Sequence, residues 1–235
     1  MNCEVFYDTL QSSDSADDLF EHIKSYAAQL GFSYVSYAMC VPSLDSISRW
    51  IRYETTPVAW QKHYALKKYV EIDPVVRRGM NSIEPLVWSQ RLFAEAPQIW
   101  ADAQEFGLRS AISQPSWAAH GVFGILTFLR EKPSLSEGEV SMLRRQMQVV
   151  ANLLHLAMYE HLDVPSINCV GEVNLTARER EILRWTSEGK TAEIIGTILS
   201  ISTRTVNFHI SNVLSKLVAV NKVQAVAKAR TFGLL

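Results

Sequence analysis

Residues 175–235 read LTAREREILRWTSEGKTAEIIGTILSISTRTVNFHISNVLSKLVAVNKVQAVAKARTFGLL. Four short amphipathic helices can be marked off in this stretch. Thr176 and Glu179 stand three apart, the spacing at which hydroxyl and carboxylate cap a helix start reciprocally. Ile182, Leu183 and Trp185 give that helix its apolar surface, and Gly189 stops it. The second helix spans Thr191 to Leu199, with Ile195, Ile198 and Leu199 expected inward. A tight Ser200-Ile201-Ser202 link follows, and Ser202 or Thr203 caps the third helix. There Val206, Ile210, Val213, Leu214 and Leu217 form one stripe. Asn221 caps a fourth helix that runs through Val223, Val226 and Ala229. The second and third helices, joined by so short a turn, predict a helix-turn-helix.

The polar side of the third helix suggests what it touches. From Ile194 to the C-terminus there are five basic residues and no acidic one. Such a face suits the groove of double-stranded DNA. Thr203 and Thr205, beside the unpaired backbone N–H groups of a helix start, suit phosphates. Asn207 and Ser211 are four apart, so they point the same way and can exchange hydrogen bonds with base edges. Arg204, Lys216 and Lys222 are expected at phosphates, which makes binding salt-dependent. Any one of these residues alone reads as well as a solvated helix face. The four-helix arrangement as a whole does not.

Whole-chain charge hides this signal. The net value is −1, yet residues 171–235 carry nine Lys/Arg against five Asp/Glu, while 1–170 carry fourteen against nineteen. That asymmetry joins a nucleic-acid module to something else. Hydrophobic content of 48% with 20% charged residues fits a soluble globular chain. The three cysteines are dispersed and odd in number, which fits neither a disulfide framework nor a zinc site. There is no apolar signal region and no run approaching a membrane span, so a cytoplasmic protein with no membrane partner is expected.

Residues 1–162 alternate helix and strand patterns. Helices are predicted from Ser15 to about Leu30, Trp60 to Tyr69 and Pro97 to Phe106, with a short one after Asp73-Pro74. Strands are predicted at Phe32–Val41, Ile47–Tyr53, Ala111–Ser116 and Val122–Arg130, the last two as central strands because their apolar runs are long. Ser136 and Glu139 open a long helix reaching His161. It has one seam at Val140, Leu143, Met147, Val150, Leu154 and Ala157. Val149, Leu153 and Leu156 make a second face, which is either buried within the domain or meets another chain. Periodicity vanishes after Asp163, where Pro165, Ser166, Asn168 and Gly171 suggest a linker. The fold class is therefore α+β: an N-terminal α/β/α sandwich over 1–162, a linker over 163–173, and an all-α four-helix domain over 174–235.

The C-terminal motifs resemble LuxR-type regulators: Leu175-Thr176-x-Arg178-Glu179-x-Glu181-x-Leu183, Gly189-Lys190-Thr191, Ile201-Ser202-x-x-Thr205-Val206-x-x-His209 and Asn221-Lys222. Ile194 departs from the family's usual Glu. Val218 stands where a Gly usually sits, at a place where the backbone can require φ > 0. In the N-terminal half, Trp60, Tyr64, Asp73-Pro74, Trp88 and Gln114-Pro115-Ser116-Trp117 resemble the acyl-homoserine-lactone-binding domain of that family, most closely a CepR-like subgroup.

The resemblance implies a quorum-sensing transcription factor. Trp60 would donate its indole N–H to the lactone carbonyl, Asp73 would accept the amide N–H, and Thr127 would contact the amide region. Tyr64 and Trp88 would wall the pocket, beside Thr56, Ala111 and Ser113. Taken alone, each aromatic is more simply core, whereas a buried Asp73 needs a partner. Thr56 replaces a family Tyr, and Ala111 replaces a Gly. Gln61 is not basic and offers nothing to a 3-oxo chain. The implied partners are a palindromic operator, a second copy of the chain and RNA polymerase. An orphan regulator responding to another small molecule is the alternative. An acid–base reading of His63, Tyr64, Glu71 and Asp73 lacks a metal-spaced His set, nucleophile elbow or phosphate loop, so no catalytic residue, metal or cofactor is expected.

Overall fold

The computed structural model describes residues 10, 12–43, 48–132, 134–164 and 173–235. The four linker residues named above, with Ile47, Cys3 and Cys169, lie outside them. Ser15 accepts the Asp18 amide and opens α1 (Ala16–Gln29). Strands β1 (Tyr34–Val41) and β2 (Arg49–Glu54) follow, then α2 (Val58–Leu66). The expected continuation of α2 to Tyr69 fails at Lys68, whose φ of +52° breaks the helix before a short 3-10 turn at Tyr69–Glu71. Asp73 caps α3 (Pro74–Gly79), and Pro74 presets its first turn. The unit is completed by β3 (Leu86–Val87), α4 (Pro97–Glu105), β4 (Ser110–Trp117), β5 (Phe123–Arg130) and α5 (Glu137–His161).

The five strands lie in the order β2-β1-β5-β4-β3. β5 is buried at every position, which explains its unbroken apolar run: it is central and covered on both faces. On one face Phe128 packs against Tyr26 and Phe32, with ring centroids 6.3 and 5.5 Å away. Leu143, Met147, Val150 and Leu154 of α5 are buried as the seam implied, while Val140 and Ala157 at its ends are half-buried. The start of α5 is tied to the sheet, because the buried Arg130 guanidinium lies 2.6 Å from Glu139. Hydrogen bonds from Arg130 and Ser136 hold the Glu139 carboxyl down at about 2. Gly124 is required under α5: a Cβ there would lie 2.3 Å from the His155 ring, which is buried beside Tyr37. The second face of α5 is open among the described residues. Met142, Val149 and Leu156 are exposed at steps of seven, and Leu153 is half-buried.

The C-terminal helices are α6 (Ala177–Ser187), α7 (Ala192–Leu199), α8 (Thr203–Lys216) and α9 (Lys222–Thr231). Both hydrogen bonds of the Thr176/Glu179 capping box form. Glu179 is also buried and sits 2.6 Å from Lys216 Nζ, so one carboxylate braces α6 against α8. Burial pushes its carboxyl up, but the Lys216 and Thr176 hydrogen bonds outweigh this and hold it below the usual range. The α7–α8 turn is tight because Gly196 has no side chain; a Cβ there would meet the Ile201 carbonyl at 2.8 Å. Two expectations are corrected. Ile198 is exposed, because α7 packs through Ile195 and Gly196 and position 198 falls beside that face. Val223 is also exposed; α9 turns inward its small residues Ala225 and Ala229, with Lys228 between them. The Lys228 ammonium donates to the carbonyls of Leu217 and Val218 at the end of α8.

Val218 takes the left-handed conformation anticipated at that position, with φ of +47°. A β-branched residue there is strained by about 1–2 kcal/mol, and its exposed side chain recovers little by burial. V218G is expected to stabilise the C-terminal unit by about 1 kcal/mol, read as slower hydrogen exchange of the α8 amides. An unchanged or faster exchange would show that the strain is not there to be relieved.

Candidate ligand cavity and nucleic-acid interface

Opposite α5, the sheet and the α2–α3 segment enclose a cavity with about 650 Å³ of empty space, part of it open to solvent. Antiparallel register builds its floor. Ser36 pairs with Thr127, and Thr127 with Ser113, so three hydroxyl residues lie in one row across β1, β5 and β4. Thr127 and Ser113 bond each other at 2.8 Å, and Ser113 accepts the Trp88 indole N–H at 2.9 Å. Trp60 is buried at the cavity wall, and among the described residues its indole N–H has no acceptor. Its ring centroid lies 5.6 Å from Tyr64 and 5.7 Å from Phe106.

Asp73 is the polar centre. Its carboxylate accepts the Val75 amide through one oxygen and the Tyr64 hydroxyl through the other, both at 2.8 Å. Burial pushes this carboxyl up to about 6, against those hydrogen bonds, which favour the ion. Burial and the adjacent Asp73 likewise raise the Tyr64 phenol well above its ordinary value, so it remains a donor. The sequence cluster His63–Tyr64–Glu71–Asp73 is split in space. His63 turns to Asp102, which also accepts from Tyr69, and Glu71 is exposed. These two hydrogen bonds hold the Asp102 carboxyl below the usual range.

Of the residues expected at the pocket, Trp60, Asp73, Tyr64, Trp88, Thr127 and Thr56 line the cavity. Ala111 and Ser113 do not. Both are buried one layer behind, with Ser113 reaching the site only through Trp88 and Thr127. Sequence reading missed Ser36, Trp50, Arg52 and Glu54, which do line it. Period-two alternation along β2 carries the last three, since 50, 52 and 54 share one face. Tyr53 points to the opposite face, 5.5 Å from Phe20, and cannot stand in for a tyrosine at position 56.

In the C-terminal unit, Ser202 is the cap of α8 and accepts the Thr205 amide. Thr203, Arg204, Asn207 and Ser211 are exposed along this helix, and Thr205 is partly covered. Phe208, which sequence reading passed over, is 62% exposed, far more than packing requires. An exposed aromatic among hydrogen-bonding residues suits contact with a thymine methyl. Lys222 is exposed at the start of α9. Lys216 does not fit the expected phosphate role: its ammonium donates to Glu179 and to the Asn174 carbonyl.

Both halves of the chain match known families. The Autoinducer binding domain family matches residues 15–158, and the family described as Bacterial regulatory proteins, luxR family, matches 173–229. The chain is 44% identical over 233 residues to the transcriptional activator protein SolR of Ralstonia nicotianae, covering 98% of each. The crystal structure of Escherichia coli SdiA superposes with a TM-score of 0.79 at 33% identity, covering 99% of this chain and 97% of that one. The structure of the N-acylhomoserine-lactone-dependent LuxR family factor CepR2 from Burkholderia cenocepacia gives a TM-score of 0.62 at 28% identity, over 67% of this chain and 92% of that one. That match gives the CepR-like subgroup no particular support over other members. These relatives are regulators rather than enzymes. With both domains matched in order along the chain, the protein belongs to the LuxR family, carrying an autoinducer-binding domain ahead of a DNA-binding helix-turn-helix.

Proposed function

We propose that the protein binds an N-acyl-homoserine lactone and regulates promoters as a homodimer on a palindromic operator. The observation that carries this reading is Asp73, a carboxylate buried at a largely apolar cavity and lacking enough donors to restore its ordinary acidity. A ligand amide N–H supplies the missing donor, and the unpaired Trp60 N–H faces the lactone carbonyl. Thr127, anchored through Ser113, orients the amide region, while Tyr64 and Trp88 wall the acyl chain. Thr56 donates to Glu54 at 2.6 Å, so its hydroxyl proton is committed within the cavity wall rather than to the ligand. The named lactone dependence of CepR2 supports this choice of ligand.

The open α5 stripe of Met142, Val149 and Leu156 supports pairing with a second copy, since seven-residue spacing makes a seam on a long helix. Two α8 helices related by a two-fold axis then match a two-fold symmetric operator. In the chain, residues 1–162 sense, 163–173 link and 174–235 read DNA. Thr203, Thr205, Arg204 and Lys222 would hold phosphates, while Asn207 and Ser211 read base edges. RNA polymerase is the downstream partner, and the cytoplasm the compartment. Among the described residues no helix is long and apolar enough to cross a membrane.

The raised Asp73 pKa sets a pH dependence. In the ligand-free protein the charged form is disfavoured, so the stability this carboxyl contributes is fully present below about 4 and is lost as pH rises through about 6. The lactone amide favours the charged form, so binding is expected to strengthen with pH up to about 6 and then level off. D73N is expected to weaken lactone binding by about 10- to 100-fold and to flatten that profile. It should also raise the ligand-free melting temperature at pH 7.5. Calorimetric titration across pH 5–8 reads the first effect; a pH-independent affinity in the unaltered chain would contradict it. On the DNA side, R204A is expected to reduce the slope of log affinity against log salt by about one. An unchanged slope would place Arg204 away from the phosphates.

A further inference from the structure

The cavity holds one cation that the reading above leaves unused. Alternation along β2 puts Arg52 on the cavity face, between Trp50 and Glu54. Its guanidinium carbon lies 5.3 Å from the Tyr64 ring centroid and 5.9 Å from that of Trp50. These ring contacts hold the group in place but leave its in-plane N–H fork uncommitted. Among the described residues, Arg52 has no hydrogen-bond or ion-pair partner, and Glu54 next to it bonds Thr56 instead. Arg52 is exposed and its charge is felt by Asp73, so its donors face solvent at the cavity mouth, where an oxygen of a bound ligand can take the place of water.

Its place says where that oxygen would be. Arg52 lies over the ring of Tyr64, whose hydroxyl bonds Asp73, the acceptor assigned to the ligand amide. Guanidinium and amide anchor thus meet at one tyrosine, the first over its ring and the second at its hydroxyl. We propose that Arg52 is a specificity-determining residue that donates to an oxygen on the acyl chain close to the amide, so that a 3-oxo or 3-hydroxy chain is preferred over an unsubstituted one. The inference rests on the lactone reading.

Three probes of equal chain length test it: octanoyl-, 3-oxooctanoyl- and 3-hydroxyoctanoyl-homoserine lactone, titrated calorimetrically into the full chain. The two oxygenated lactones are expected to bind about 10-fold more tightly than the unsubstituted one, a discount for exposure on what a charged hydrogen bond gives. The 3-oxo and 3-hydroxy arms separate a carbonyl from a hydroxyl as the preferred acceptor. R52M should bring the three affinities together by weakening the two oxygenated lactones more than the unsubstituted one, and R52K should keep part of the preference. Equal binding of the three by the unaltered chain overturns the proposal even if R52M fails to fold. Equal weakening of all three by R52M also overturns it, because the guanidinium would then serve a group that every lactone shares. If no lactone binds the unaltered chain, the lactone reading itself fails, and this inference with it.

Discussion

A carboxylate buried among aromatic rings is the constraint around which the N-terminal unit is arranged. Asp73 caps α3, accepts from Tyr64 and faces a cavity that offers it no cation at ion-pair distance among the described residues. Desolvating a charge so incompletely compensated costs several kcal/mol in general, and folded proteins relieve it by neutralisation or by a partner. In the proposed reading the relief comes from a ligand. A ligand that brings an N–H to Asp73 changes the protein's own stability as well as filling space, which couples occupancy to folding. Tyr64 stands at the junction of these effects, holding Asp73 through its hydroxyl and Arg52 through its ring.

The C-terminal unit depends on a different buried carboxylate with the opposite outcome. Glu179 has a cation beside it: one of its oxygens accepts from the Thr176 amide at its own helix start and from Lys216 of α8. The ion pair sets how α8 lies against α6, which leaves Arg204, Asn207, Phe208 and Ser211 facing outward. One carboxylate is thus satisfied and structural, while the other is left short and available. The strained Val218 at the end of α8, with Lys228 over its carbonyls, marks where this unit departs from an easy backbone.

Much of this was legible in the residues. Capping boxes at Ser136 and Thr176, the apolar run of β5 and the α5 seam gave the element order, because each depends on neighbours in sequence. That Trp60, Asp73 and Thr127 line the cavity was legible because the resemblance supplied their positions. What escaped depends on contacts far apart in the chain. Lys216 reads as a phosphate ligand until Glu179, thirty-seven positions earlier, is seen beneath it. Ser113 reads as a pocket residue until Trp88 and Thr127 are seen to consume its hydroxyl. Arg52 and Ser36 required strand parity and register, which only the folded sheet settles. Ile198 and Val223 failed because an apolar residue near a helix face is not always on it.

The central claim is that ligand binding ionises Asp73. Titrating octanoyl-homoserine lactone into the full chain at pH 6, in two buffers of different ionisation enthalpy, counts the protons exchanged. With Asp73 near its midpoint in the free protein and charged in the complex, release of about half a proton per lactone bound is expected. Binding enthalpies that are the same in both buffers, or that report proton uptake, would contradict the account.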